Sequence, residues 1–479
     1  MNDALEHYSR DRSREGEARA GAHTGAAGGA ACGDLINLSF ELEGGRVARP
    51  QWLAEGCATA RAAAAASAEL LDEATLAEAA LLSASAIEAE LGGLSPIGRH
   101  GAELAADAVH RALGEAALSG ERMLDPPEPG RPRRVLVAMS GGVDSAVALH
   151  REREAGAEVF AVTLELWSDP ANDGEQSCCS PQAVRLARSV AHRMGAPHLT
   201  VDLRDRFRAG VVEPFLEGYA AGVTPNPCVR CNGRVRLEPM LGIAERLGAA
   251  GLATGHYART VDDGDGPLLA PAADDAKDQC YMLAALPTAL LGRFRFPLAE
   301  LTKPEVRAIA ERAEIPVASR PESQDLCFLA GEGKAGFLAR HGDLGERQGE
   351  IVDSGGAVLG THSGHHNFTV GQRRGIGIGS PEPLYVLATD AERNRVVVGV
   401  AAELERDRVT VGELVLHRPA ERVDKVRLRY RSPMLDCRLD SGAGVDTVVR
   451  LERPVRRPAP GQTAVFFAGD AIVGHAVVA

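Results

Sequence analysis

Two of the chain's nine cysteines, Cys228 and Cys231, stand in TPNPCVRCN (224–232) as a CxxC pair behind two prolines. That spacing can serve half of a zinc site, a dithiol redox pair, part of an iron–sulfur ligand set, or a catalytic thiol beside a bystander. Zinc needs more ligands, and no second CxxC or HxxxH accompanies the pair. A second string, SGGVDS (Ser140–Ser145), lies between the apolar run VLVAM and a helical stretch. Its glycines let backbone approach a ligand closely, and a helix start offers unsatisfied N–H groups and a positive dipole end. That combination suits phosphate. It is not a Walker A loop, because no Gly-Lys-Ser/Thr follows, and it is not GxGxxG.

The elements that must hold these strings follow from periodicity. VLVAM reads as a buried parallel strand, SGGVDSAVALHREREAG as turn plus helix, and AEVFAVTLELW as the next strand. The alternation continues to about residue 320 and predicts a doubly wound parallel sheet. After about residue 350, short β-type runs separated by turn residues predict small β domains or barrels. Before it, LINLSFELEGG and RVARPQWLAEG read as strands, and helical periodicity runs from about Ala58 to Leu118. The fold class expected is multidomain α/β: an α+β domain, a doubly wound parallel-sheet domain, then a small central domain and a C-terminal β-barrel. The expected boundaries are a disordered leader over 1–27, domains over 28–120, 133–330, 331–402 and 403–479, and a proline-rich linker over 121–132.

Composition sets limits. The chain has 479 residues, 45% hydrophobic and 25% charged, and a net charge of −13. That excludes a generally basic nucleic-acid binder but not a local basic face. No apolar run reaches the length of a membrane span, and the charged N-terminus lacks a signal-peptide core. No membrane partner is expected. The cysteines then imply a reducing cytoplasm, where thiols serve chemistry or metals.

SGGVDS resembles the loop of the PP-loop ATP pyrophosphatases, which adenylate a substrate oxygen. With TPNPCVRCN, ATGHYAR (253–259), KDQCYML (277–283), SQDLCFL (323–329) and HNFTVGQRRGIGIG (366–379), the chain from about 133 onward resembles the tRNA-uridine 2-sulfurtransferases of the MnmA family. The resemblance implies ATP-dependent thiolation of C2 of the wobble uridine, U34, with ATP and Mg²⁺ as cofactors. Its partners would be tRNA and a sulfur donor, either a cysteine desulfurase or a relay protein. Ala138, Met139, Ser140, Gly141, Gly142, Val143, Asp144 and Ser145 would hold ATP, with Leu164 and Gly255 on the adenine side. Cys231 would be the nucleophile and Cys327 the persulfide carrier. Asn226, Pro227 and Cys228 would lie by the target base, and Lys277, Asp278, Gln279, His256, Arg429, Tyr430 and Gln462 would contact tRNA.

These residue types fit that chemistry. Uridine O2 is a poor leaving group until adenylated, a persulfide is a strong sulfur nucleophile, and a second thiol can resolve it. The two cysteines must therefore meet in space. The base must leave its stack, at a cost of a few kcal/mol that a single-stranded loop keeps low. The adjacent Cys178 and Cys179 suit either a metal or redox role or local packing, Cys280 and Cys437 are read as structural, and Arg373-Arg374 as a phosphate contact.

Cys228 departs from the family pattern, which places an aspartate there. A thiol replaces a carboxylate weakly as an acid or base. The change also creates a Cys228/Cys231/Cys327 set that could hold a [4Fe–4S] cluster, so persulfide relay and cluster-dependent thiolation stay open. The region 28–118 resembles the IscU/NifU iron–sulfur scaffolds, with Cys32, Asp34, Cys57 and His100 at cluster-associated positions and Gly101 where a third cysteine would fall. That implies a domain able to hold iron, an iron–sulfur cluster or zinc, or one kept only for docking. A carrier protein without turnover is the alternative from another class.

Overall fold

The computed structural model describes residues 2–29, 33–169, 180–320, 326–329, 332–440 and 447–479. They form two compact units: Met1–Arg204, Glu238–His256 and Arg293–Ser323 in one, and Asp205–Leu237, Tyr257–Gly292 and Gln324–Ala479 in the other.

The first unit opens with an antiparallel sheet of β1 (His23–Gly28), β2 (Leu35–Glu43) and β3 (Arg46–Glu55). Helices Ala58–Leu71 and Arg99–Leu118 pack on it. The first of these is nearly all alanine on its buried side, and such small side chains let helix axes approach closely. The leader expected to be disordered is ordered. Its helix Asp3–Arg10 buries Tyr8, whose hydroxyl donates to Glu90 at 2.8 Å, and β1 takes the edge of the sheet. Residues 1–27 are polar in composition, and only their partners elsewhere in the chain pay the ordering entropy.

The same unit holds the parallel sheet. Its order is Phe294–Arg295, β7 (Leu252–Ala253), β4 (Arg134–Ala138), β5 (Glu158–Glu165) and β6 (His198–Asp202). All four pairings are parallel. Val135, Leu136 and Val137 are fully buried, as a strand covered on both faces requires. Helices Val143–Glu154, Pro181–Arg193 and Lys303–Arg312 belong to this layer.

The second unit contains a four-stranded sheet over 349–399 and a β-barrel. Six strands close the barrel, because Glu405–Leu416 pairs with both Thr447–Arg456 and Ala471–Val478. Val411, Val426, Val449, Phe466 and Val473 fill its interior. The expected single domain over 133–330 is interleaved: 205–237 and 257–292 fold with the C-terminal part. Backbone bonds explain this, since Thr224 N donates to Pro460 O at 2.8 Å.

Candidate active site

In the first unit, β4 ends at Ala138 and the chain turns through Ser140, Gly141 and Gly142 into the helix Val143–Glu154. Gly141 has φ +71°, the left-handed region that a side chain would strain. Ser145 Oγ donates to Gly142 O at 3.0 Å and accepts from Ser140 N at 3.2 Å, which closes the turn. Gly255 lies against it: a Cβ there would sit 2.7 Å from Ser145 N. Leu164 is buried on β5, and His256 Nδ1 lies 2.9 Å from Thr254 Oγ1. Two residues that the sequence reading did not single out join this loop. Lys303 Nζ lies 2.7 and 2.8 Å from the two carboxylate oxygens of Asp144, and Arg320 Nη1 donates to Gly141 O at 2.8 Å.

The thiol loop belongs to the second unit. Asn226 caps the turn Pro227–Arg230 by accepting from Val229 N, and Pro227 takes its first position, where no N–H is needed. Cys231 is buried and opens a π-helical stretch, Cys231–Arg236. Such widened turns are frequent at functional sites because they re-aim side chains. Cys228 is half-buried, and burial pushes its thiol pKa up against the opposing pull of Arg236. Cys327 is followed by Phe328, whose ring meets those of Phe207, Phe215 and Phe337 at 5.8, 5.1 and 5.1 Å. The π-helical stretch after Phe207, Arg208–Val212, touches Cys231–Arg236 through Gly210 and Val235. One segment thus supports both thiol-bearing strings. The sulfurs of Cys228, Cys231 and Cys327 do not gather tightly enough for a single metal ion.

The residues expected to contact tRNA separate into two kinds. Arg429 is exposed, and the neighbouring Arg431 stacks over the Tyr430 ring at 5.3 Å. Asp278 instead is buried, accepting from Ala272 N and Cys280 N and lying 3.4 Å from Arg427. Gln279 Oε1 accepts from Tyr257 N at 3.1 Å. Lys277 is half-buried. Gln462 holds the thiol loop by donating to Thr224 O at 2.9 Å. Cys280 and Cys437 are buried, and burial raises both thiol pKa values, that of Cys437 to about 12, which suits packing residues. Cys178 and Cys179 lie outside the described residues.

Comparison with known proteins covers the whole chain. Residues 133–331 match the tRNA methyl transferase HUP domain, 335–400 the tRNA methyl transferase PRC-barrel domain, 407–478 the aminomethyltransferase beta-barrel domain, and 1–117 the NifU-like N terminal domain. A bifunctional protein NifU/MnmA of Rubrobacter xylanophilus is 43% identical over 486 residues, covering 99% of this chain and 97% of that protein. The chain belongs to the bifunctional NifU/MnmA family. A tRNA-specific 2-thiouridylase MnmA of Geobacter metallireducens is 41% identical over 71% of this chain and 95% of its own length. One of Rhodospirillum centenum is 44% identical over 71% and 90%.

The NifU part of this NifU/MnmA chain keeps a pair of donors in contact. Cys57 N donates to Asp34 Oδ1 at 2.7 Å, and Cys57 Sγ lies 3.4 Å from Asp34 Oδ2. Cys57 also caps the helix Ala58–Leu71. Cys32 lies outside the described residues. Asp34, Cys57 and His100 do not bring one ligand atom each close enough for a single ion. At Gly101 a Cβ would stand 3.2 Å from the Ala60 backbone, so the helices have closed over the third cysteine's place. The described donors therefore do not fit a three-thiolate cluster, and no reaction step is routed through one.

The NifU part is built into the HUP part. Asp107 pairs with Arg185 at 2.7 Å and Arg188 at 2.5 Å, and Arg111 reaches Glu165 at 2.7 Å. His110 sits between Leu82 O and His198 O, and His198 Nε2 meets Thr163 Oγ1 at 2.8 Å. Thr163 donates to Met139 O, directly before the Ser140–Ser145 turn.

Proposed function

We propose that the protein thiolates C2 of the wobble uridine, U34, of tRNA in an ATP-dependent reaction. The observation that carries this reading is the folded SGGVDS turn together with Cys231 and Cys327 in a chain of the NifU/MnmA family. The relatives named as tRNA-specific 2-thiouridylases match the part of the chain that holds both.

Uridine O2 attacks the α-phosphorus of ATP, N3 loses its proton, and the bond to the β-phosphate breaks to release pyrophosphate. A donor, a cysteine desulfurase or relay protein, has left a persulfide on Cys327. Its outer sulfur bonds to C2 and AMP departs. The Cys231 thiolate then attacks the Cys327 sulfur, which forms a Cys231–Cys327 disulfide and leaves sulfur on C2, where N3 regains its proton. An external thiol reductant restores the pair. The loop's backbone N–H groups and helix start orient the phosphates, and the preorganised π-helical turn spares the thiol the entropy of positioning.

The cluster-dependent reading asks Cys228 to be a thiolate. Burial raises its pKa, so a cluster would have to displace a proton to be ligated there. The test is to supply ATP, Mg²⁺, a persulfide donor, a thiol reductant and tRNA with an unmodified wobble uridine, and to read 2-thiouridine by mass. A Cys231→Ser or Cys327→Ser chain with full activity would overturn the reading. Absence of tRNA-dependent pyrophosphate release would favour a carrier without turnover.

A further inference from the structure

The nucleotide loop carries an acid and no base: Ser140–Ser145 contains Asp144 but neither lysine nor arginine. A helix start supplies only about half a positive charge against the polyanion of a nucleoside triphosphate. Two cations come from outside the loop, on the segment Arg293–Ser323 of the same unit. Lys303 makes a two-oxygen contact with Asp144 at 2.7 and 2.8 Å, with its side chain 9% exposed. Arg320 donates to Gly141 O and stands 3.2 Å from where a Cβ on Gly141 would lie.

Lys303 occupies an unfavourable place. It is buried at the first position of the helix Lys303–Arg312, where the dipole is positive and acidic residues are preferred. The capping is done by its neighbours: Thr302 N and Oγ1 both donate to Glu305 at 2.7 Å. Asp144 lies in the first turn of Val143–Glu154, so the start of its own helix and the Lys303 ammonium group share one carboxylate. Two cations, Lys303 and Arg320, thus stand against the glycine turn.

We propose that Lys303 and Arg320 bind the β- and γ-phosphates of ATP and hold the departing pyrophosphate. Asp144 is the anion that keeps Lys303 buried and aimed until nucleotide arrives. This rests on the adenylation reading above. Charge-assisted bonds to the leaving group strengthen as the bond to the α-phosphorus breaks, so they lower the barrier as well as aiding binding.

The experiment uses the full chain and two probes, inorganic pyrophosphate and AMP, in titration calorimetry, with pyrophosphate release in the presence of tRNA as the turnover readout. Lys303→Met is expected to weaken pyrophosphate binding at least about tenfold and to leave AMP within about twofold, with Lys303→Arg recovering most of the loss. Pyrophosphate binding equal to wild type in Lys303→Met overturns the proposal. So does recovery of wild-type affinity in Asp144→Asn/Lys303→Met, which would reduce Lys303 to a neutraliser of Asp144. If Lys303→Met does not fold, Arg320→Met is read by the same criterion. Failure of the wild type to release pyrophosphate with tRNA would sink the adenylation reading, while the binding data still judge Lys303 and Arg320.

Discussion

The side-chain amide of Gln462 donates to the carbonyl oxygen of Thr224 at 2.9 Å, tying a loop of the C-terminal barrel to the first residue of the thiol loop. Thr224 N returns a bond to Pro460 O at 2.8 Å. The position expected to touch tRNA therefore braces the string that carries Cys228 and Cys231. A brace and a direct contact differ kinetically. Gln462→Leu is expected to lower kcat for thiolation about tenfold, with KM for tRNA nearly unchanged and a stability loss of about 1 kcal/mol. A rise in KM alone, with kcat intact, would mean that the side chain works by touching RNA.

The thiols should separate by half-reaction. Cys231→Ser and Cys327→Ser are expected to keep tRNA-dependent pyrophosphate release while thiouridine falls below about one part in a thousand. Cys228, whose thiol pKa burial raises, should matter less: Cys228→Ser is expected to lose under about tenfold, and Cys228→Asp to equal or exceed wild type. Mass analysis of digested tRNA alongside a phosphate-release assay reads both halves. Equal, complete loss in Cys228→Ser and Cys231→Ser would place Cys228 in the sulfur relay.

The Ser140–Ser145 turn was legible because Gly-Gly after an apolar strand leaves few conformations, and the observed turn uses φ +71° at Gly141 as such a string demands. The thiols were picked out by their strings and not by any spacing rule, since what supports both strings is tertiary: the segment Phe207–Val212 meets Phe328 through Phe207 and Val235 through Gly210. Lys303 and Arg320 were missed because a single cation carries no periodicity. The one signal available was a lysine inside a Thr-x-x-Glu capping pattern, at the helix end where a lysine is least welcome. Asp278 and Gln279, which the resemblance makes tRNA contacts, bond backbone inside the fold. The leader was misread because its order depends on partners such as Glu90, far along the chain.

The seam between the NifU and HUP parts should respond to acid. His110, His192 and His198 cluster there with ring centroids 5.3 to 6.3 Å apart, and burial lowers all three pKa values, that of His192 to about 4. A histidine depressed in the folded state contributes stability above its unfolded pKa of about 6.5, and that contribution is lost as pH falls toward the folded value. Thermal unfolding of the full chain is expected to shift downward between pH 7 and pH 4.5, and His192→Gln should flatten part of that slope. A midpoint independent of pH over this window would show that these rings do not limit stability.

The closed space at Gly101 makes the last prediction. Restoring a cysteine there would return the scaffold's third thiol in sequence, yet its Cβ must enter a gap 3.2 Å from the backbone of Ala60 and Thr59. Overpacking of this kind costs about 1–3 kcal/mol. Gly101→Cys is therefore expected to lower the unfolding midpoint and to leave iron and sulfide content after anaerobic purification equal to that of the parent chain. Cys57→Ala, which removes the thiol beside Asp34 and a helix cap, should cost about 1 kcal/mol on its own. A Gly101→Cys chain that gains about two irons without loss of stability would show that the two helix starts part easily, and that the domain retains a cluster site which its present packing hides.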